Sequence, residues 1–267
     1  MQLDERVVGR CHFLEAPPRA AVRPRGTLVL LHAFPLSARM WEPQFGLADG
    51  GWRIVAPDFA RSASDGANVT MDTYAGEVID LLDALHIEDA VVGGCSMGGY
   101  LAFTLFRRAA NYVRGLILAD TRAQADAPDA LENRKKMLQL VADKGTPAVV
   151  AEMVPKLLGD TTRKTRPAVV ERVESIALAT SANTVAGMIR GLMTRQDSVA
   201  LLSTIHVPTL IVVGEEDTLT PPALSEQMHK AIAGSELAIV PKTGHLPNLE
   251  DAQTFNETLA RFLEHRV

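Results

Sequence analysis

Gly94-Cys95-Ser96-Met97-Gly98 is the stretch that decides how this chain is read. Residues 90–93, Ala-Val-Val-Gly, run into it as a buried strand. Residues 99–106, Gly-Tyr-Leu-Ala-Phe-Thr-Leu-Phe, leave it as a helix. A serine inside a G-x-S-x-G turn between strand and helix is pushed out of the sheet, where a carbonyl can reach it. The two outer glycines suit such a turn, because a side chain at either place would crowd it. Two nucleotide-binding readings fail on single residues. A P-loop needs Lys after the second glycine, and Tyr100 follows Gly99; a dinucleotide fingerprint needs glycine where Ser96 stands.

A serine is a weak nucleophile until a base takes its proton, and the base needs an acid to hold it. Two later segments offer both. Residues 210–217, Leu-Ile-Val-Val-Gly-Glu-Glu-Asp, form an apolar strand running into a turn that ends on Asp217. Residues 239–245, Ile-Val-Pro-Lys-Thr-Gly-His, form a short strand and a loop carrying His245. The chain order Ser96, Asp217, His245 differs from the orders of the chymotrypsin and subtilisin triads.

Taken with Leu30-Leu31-His32-Ala33-Phe34-Pro35 and Val55-Ala56-Pro57-Asp58, these motifs resemble those of the α/β-hydrolase superfamily. The likeness is to its small capped carboxylesterase and enol-lactone hydrolase branch. The resemblance implies a mostly parallel central sheet flanked by helices, with a helical cap inserted after the sixth strand. It implies Ser96 as nucleophile, His245 as base and Asp217 as acid. It also implies an oxyanion hole made by the backbone N–H groups of Phe34 and Met97. The Met97 N–H opens a helix, where donors are unpaired and the dipole favours an anion. No cofactor is implied.

Two departures from the family stand out. Ala33 replaces a common glycine and puts a positive φ out of easy reach. Phe59-Ala60-Arg61-Ser62 looks like a shortened loop. His32 reads as a brace for its loop, and Pro35 as the residue that fixes the turn behind Phe34. Cys95 reads as a buried small residue pointing away from the serine. Asp120, at another strand end, is a second place from which some members of the family draw their acid. Asp217 is preferred because its Gly-Glu-Glu-Asp turn matches the family.

Periodicity fills in the rest. Strands are expected at 27–31, 53–56 and 115–119, and an amphipathic helix at 72–85. Thr254 and Glu257 suggest a capping box opening a last helix that buries Phe255, Leu259 and Phe262. The alternation of strands and helices breaks between 121 and 203. The expected division is therefore a core of 1–120 and 204–267 and a helical cap of 121–203. Pocket candidates from the cap are Met153, Leu157, Met188 and Leu192, supplying apolar shape without ionisable groups.

The chain has 267 residues, enough for one α/β domain with an insertion. Its net charge of −5 argues against a nucleic-acid partner. No apolar run is long enough for a membrane span, and the charged start Met1-Gln2-Leu3-Asp4-Glu5-Arg6 lacks a signal peptide's apolar core. Only Cys11 and Cys95 are present, which points to the reducing cytoplasm. No metal-binding spacing occurs among the seven histidines. The expected activity is hydrolysis of small to medium apolar carboxylic esters. A lactone, an enol-lactone or a carbon–carbon bond as substrate stays open, as does a receptor or signalling role on the same fold. A serine nucleophile excludes the dehalogenase and epoxide hydrolase relatives, which use aspartate there.

Overall fold

A computed structural model describes residues 4–19, 22–61 and 69–267. Met1, Gln2, Leu3 and Ser62, each part of a sequence expectation above, lie outside the described residues. Eight strands form one sheet: β1 (Asp4–Val8), β2 (Cys11–Ala16), β3 (Gly26–Leu31), β4 (Trp52–Pro57), β5 (Ala90–Cys95), β6 (Val113–Ala119), β7 (Thr209–Gly214) and β8 (Glu236–Val240). Their spatial order is β1-β2-β4-β3-β5-β6-β7-β8. The β1–β2 and β2–β4 pairs are antiparallel, and every other pair is parallel.

Helices cover both faces, so the central strands are apolar throughout rather than alternating. Every residue of β5 and of β7 is buried. The edge strand β1 carries Asp4, Glu5 and Arg6 and is largely exposed, which guards an open edge against pairing with another chain.

The helices are α1 (Met71–Ala84), α2 (Met97–Ala109), α3 (Pro128–Leu157), α4 (Asp160–Thr165), α5 (Pro167–Leu178), α6 (Ala182–Met193), α7 (Val199–Leu202), α8 (Pro222–Ala231), α9 (Pro247–Glu250) and α10 (Ala252–His265). Thus five helices lie between β6 and β7. The first of them, α3, is interrupted at Gly145, whose φ of 73° is left-handed, and Pro147 stands two residues on.

Helix α1 begins where its chemistry allows. Thr70 Oγ1 accepts the Thr73 N–H at 3.0 Å and Thr73 Oγ1 accepts the Thr70 N–H at 3.3 Å, so the first turn is closed from both sides. The last helix differs from its expected start. Asp251, not Thr254, is its cap, accepting the Thr254 N–H at 3.1 Å. Glu257 pairs with Gln253 instead of closing a box. A carboxylate sits better at the positive end of a helix than a hydroxyl, and this one lies three residues upstream. The expected inner face holds, with Phe255, Leu259 and Phe262 fully buried.

Candidate active site

Ser96 sits between β5 and α2 with φ 53° and ψ −111°, a left-handed conformation for a residue with a side chain. Such a conformation costs on the order of 1–3 kcal/mol and persists only where the surroundings impose it. Here they do. The Ser96 N–H donates to Ala119 O of β6 at 2.9 Å, and Ser96 O accepts from Thr121 Oγ1 at 2.9 Å. A Cβ on Gly94 would lie 2.1 Å from Gly98 O, and one on Gly98 would lie 2.0 Å from Leu31 O. Only glycine lets α2 start this close to β3 and β5. Met97 is the first residue of α2, and its N–H has no acceptor one turn back within the helix.

Asp217 and His245 come from the turns after β7 and β8. The His245 Nδ1–H donates to Asp217 Oδ2 at 2.8 Å, with both side chains almost wholly buried. Asp217 also accepts the backbone N–H groups of Leu219 and Thr220 and the Thr220 hydroxyl at 2.6 Å. Burial pushes this carboxyl up. The charge of His245 and the hydrogen bonds from His245 and Thr220 outweigh burial and hold it well below the usual carboxylate range.

The histidine loop has its own anchor. Buried Glu250 accepts the N–H groups of Gly244 at 2.8 Å, Leu246 at 3.1 Å and Gly159 at 2.9 Å. The His245 N–H donates to Leu157 O, so the helical segment and the loop are joined beside the imidazole. Thr220 and Glu250 were not legible as site residues, because a hydroxyl three residues past Asp217 and a carboxylate five past His245 belong to no motif and gain their roles from the way the two turns fold.

Asp120 does not touch the imidazole. Its Oδ1 accepts the Gly214 N–H at 2.8 Å, and its Oδ2 is buried with no hydrogen-bond partner. Burial, then the neighbouring charge of Asp217, pushes this carboxyl far above its ordinary value. Asp120, Asp217 and His245 each have one ligand-type atom within 4.8 Å of the others, the one metal-capable group among the described residues. Both oxygens of Asp217 are already engaged by N–H and O–H donors, which leaves the group poorly arranged for an ion.

A stability prediction follows from the raised carboxyl. An unfolded aspartate loses its proton near 3.8, whereas folded Asp120 keeps it to much higher pH. The folded chain therefore binds the extra proton, and this group's contribution to stability declines as pH rises above that value. Asp120→Asn keeps the acceptor for Gly214 and has no proton to lose. The Tm of the variant relative to the wild type is expected to climb from about pH 4 to about pH 8. A Tm difference that stays flat over that range would mean that Asp120 is ionised in the fold.

Phe34 lies on the loop after β3. Ala33 has no positive φ, so the expected conflict at this residue does not arise. The loop is held by His32, whose Nδ1–H donates to Ala33 O at 3.0 Å while its Nε2 accepts the Phe59 N–H at 3.0 Å. Burial lowers the His32 pKa and keeps the ring neutral in this bridging role. Cys95 turns away from the serine toward His245 O and is fully buried, with a thiol pushed well up by desolvation.

A cavity of about 130 Å³ brings Ser96 and His245 together, with Phe34, Tyr100, Met153, Leu157, Leu192, Leu219, Thr220, Arg122 and Arg134 in its wall. Of the four apolar pocket candidates, Met153, Leu157 and Leu192 line it. Met188 does not; it is wholly buried on α6, against the rest of the fold. Arg122, which follows β6, and Arg134, on α3, stand in the same wall and bring charge to it. The interruption at Gly145 turns the two halves of α3 differently, so one helical period could not tell which residues face inward.

A sequence model described as the alpha/beta hydrolase family matches residues 28–258. Over 227 residues the chain is 26% identical to a 3-oxoadipate enol-lactonase of Acinetobacter baylyi, covering 84% of each. It is 25% identical to a pimeloyl-[acyl-carrier protein] methyl ester esterase of Neisseria meningitidis, covering 88% of this chain and 92% of that one. Among solved structures, a thermophilic esterase from Thermogutta terrifontis, solved with malate bound, superposes with TM-score 0.90 at 30% identity over 99% of this chain and 98% of that one.

Proposed function

Because the chain belongs to the alpha/beta hydrolase family, we propose that it is a serine hydrolase that cleaves carboxylic esters through an acyl-enzyme. The observation that carries this reading is a single cavity bounded by Ser96 and by His245, with Asp217 bonded to the far nitrogen of that imidazole. Ser96 Oγ attacks the ester carbonyl as His245 Nε2 takes its proton. Asp217 keeps the other proton on Nδ1 and stabilises the imidazolium. The N–H groups of Phe34 and Met97 receive the negative charge on the carbonyl oxygen. The imidazolium gives its proton to the leaving alcohol, and a water deprotonated by His245 then releases the acid.

Residues 1–120 and 204–267 are the catalytic core in this reading, and 121–203 the cap. The small cavity favours short acyl chains, since sites for drug-sized ligands span roughly 300–1,000 Å³. A cytoplasmic location belongs to the same proposal, supported by two free, buried cysteines.

A lactone is the second reading, favoured by the likeness to an enol-lactonase. The chemistry is unchanged except that the leaving alcohol stays tethered. Turnover of a panel of open-chain esters and lactones, with Ser96→Ala as control, tests both. Serine-dependent hydrolysis supports the proposal, and the faster class assigns the substrate. No turnover of any member would favour a receptor or signalling role.

Truncating the wall should move selectivity. Met153→Ala and Leu157→Ala are expected to raise kcat/KM for longer acyl chains relative to acetate. The gain should be modest, about 1–3 kcal/mol per methylene accommodated. Comparing kcat/KM across acyl lengths checks this. Equal loss on every ester would mean that these residues act through stability alone.

A further inference from the structure

We infer that the substrate carries a carboxylate remote from its scissile ester, held by Arg122 and Arg134. The inference rests on the ester-hydrolase reading and narrows its substrate class to acidic esters. Three guanidinium groups converge on one carboxylate, Asp126, whose side chain is almost completely buried. Arg195 takes the inner place. Its Nε and Nη2 donate to Asp126 Oδ1 at 3.2 and 2.7 Å, and its guanidinium stacks 4.1 Å above the Tyr100 ring. Arg195 is as buried as its partner, so the two charges offset each other in place.

That leaves Arg122 and Arg134 in excess. Arg122 Nη2 reaches Asp126 Oδ1 at 2.8 Å, and Arg134 Nε reaches Oδ2 at 3.2 Å. Among the described residues no ion pair to another carboxylate is recorded for either. Both stand in the wall of the cavity that holds Ser96 and His245. They also line an outer recess of about 540 Å³ with Lys136, Lys156 and Glu152. The pair therefore forms a positive partition between the reacting serine and the outer recess, in a chain whose net charge is −5. With Arg195 answered by Asp126, the two remaining guanidinium groups in the wall of a catalytic cavity call for an anion. The planar fork of a guanidinium matches a carboxylate. The small volume of the cavity allows that group on a short chain only.

The test separates binding from turnover. Glutarate is titrated calorimetrically into Ser96→Ala protein, with dimethyl glutarate as the neutral control. Glutarate is expected to bind and the diester to bind about tenfold or more weaker, and Arg122→Met or Arg134→Met in the same background should weaken glutarate by a similar factor. A second arm uses the unaltered enzyme and so does not depend on the folding of any variant. It compares kcat/KM for monomethyl glutarate with methyl pentanoate, and for acetoxyacetate with ethyl acetate. A preference for the charged member of either pair, shrinking as salt is added, supports the inference and shows which side of the ester bears the charge.

Equal or better turnover of the neutral members would overturn the inference, as would glutarate binding indifferent to both arginines. Tighter binding of 4-phosphonobutyrate than of glutarate would overturn the choice of carboxylate. Hydrolysis of neutral esters without glutarate binding would sink this inference and spare the ester-hydrolase reading. Arginine-dependent glutarate binding without hydrolysis of any ester would do the reverse.

Discussion

Ser96→Ala is expected to lower kcat for ester hydrolysis by on the order of 10⁴–10⁶-fold while the protein melts as the wild type does. Neither Cys95 beside it nor Thr220 in the cavity wall can replace the lost hydroxyl. Cys95 faces the interior with its thiol held protonated, and Thr220 spends its hydroxyl on Asp217. The fold should tolerate the change. Alanine keeps the backbone donor to Ala119 and the acceptor for Thr121, and a hydroxyl contributes nothing to the tight approach of Gly98 to Leu31. Turnover and Tm measured on the same preparation check the result. Substantial remaining activity with an unchanged melt would remove Ser96 from its proposed role.

Asp217→Asn should cost about 10⁴-fold in kcat. An amide that turns its N–H toward Nδ1 would make that nitrogen an acceptor and leave Nε2 protonated when it must take a proton. It would also remove the charge that stabilises the imidazolium. Asp120→Asn should cost under about tenfold, because a carboxyl that already holds its proton is nearly matched by an amide. The contrast is informative because both side chains are buried at neighbouring strand ends and differ chiefly in charge state. Should Asp120→Asn prove the damaging change and Asp217→Asn the mild one, the acid belongs at the end of β6.

Much of this arrangement was legible before any fold was known, for identifiable reasons. The Ser96 turn could be read because the tight packing of α2 restricts residues 94 and 98 to glycine. The turns at Asp217 and His245 could be read because each follows a short apolar run in the parallel sheet, wholly buried in β7 and only partly buried in β8. These are local constraints, and local constraints leave local marks. The Arg122–Asp126–Arg134–Arg195 cluster has no such mark. Its members are spread over 74 positions and meet only when the turn after α6 packs beside α3 and the loop after β6. The i, i+4 spacing of Arg122 and Asp126 was the one available hint. Glu250 was hidden because its partners are backbone N–H groups, two in the adjoining histidine loop and one at distant Gly159, and backbone groups leave no mark in a sequence. Met188 was misplaced because a helix packed on several sides carries apolar residues on faces that do not border the cavity.

The covalent intermediate is the most direct test of the account. Protein mixed with a slowly deacylating aryl ester, quenched in acid within the first turnovers and weighed intact, should gain the mass of one acyl group. Peptide mapping should place that group on Ser96, and Ser96→Ala protein should gain none. An acyl group on another residue, or steady hydrolysis in which no acylated protein ever accumulates even with the slowest esters, would contradict it.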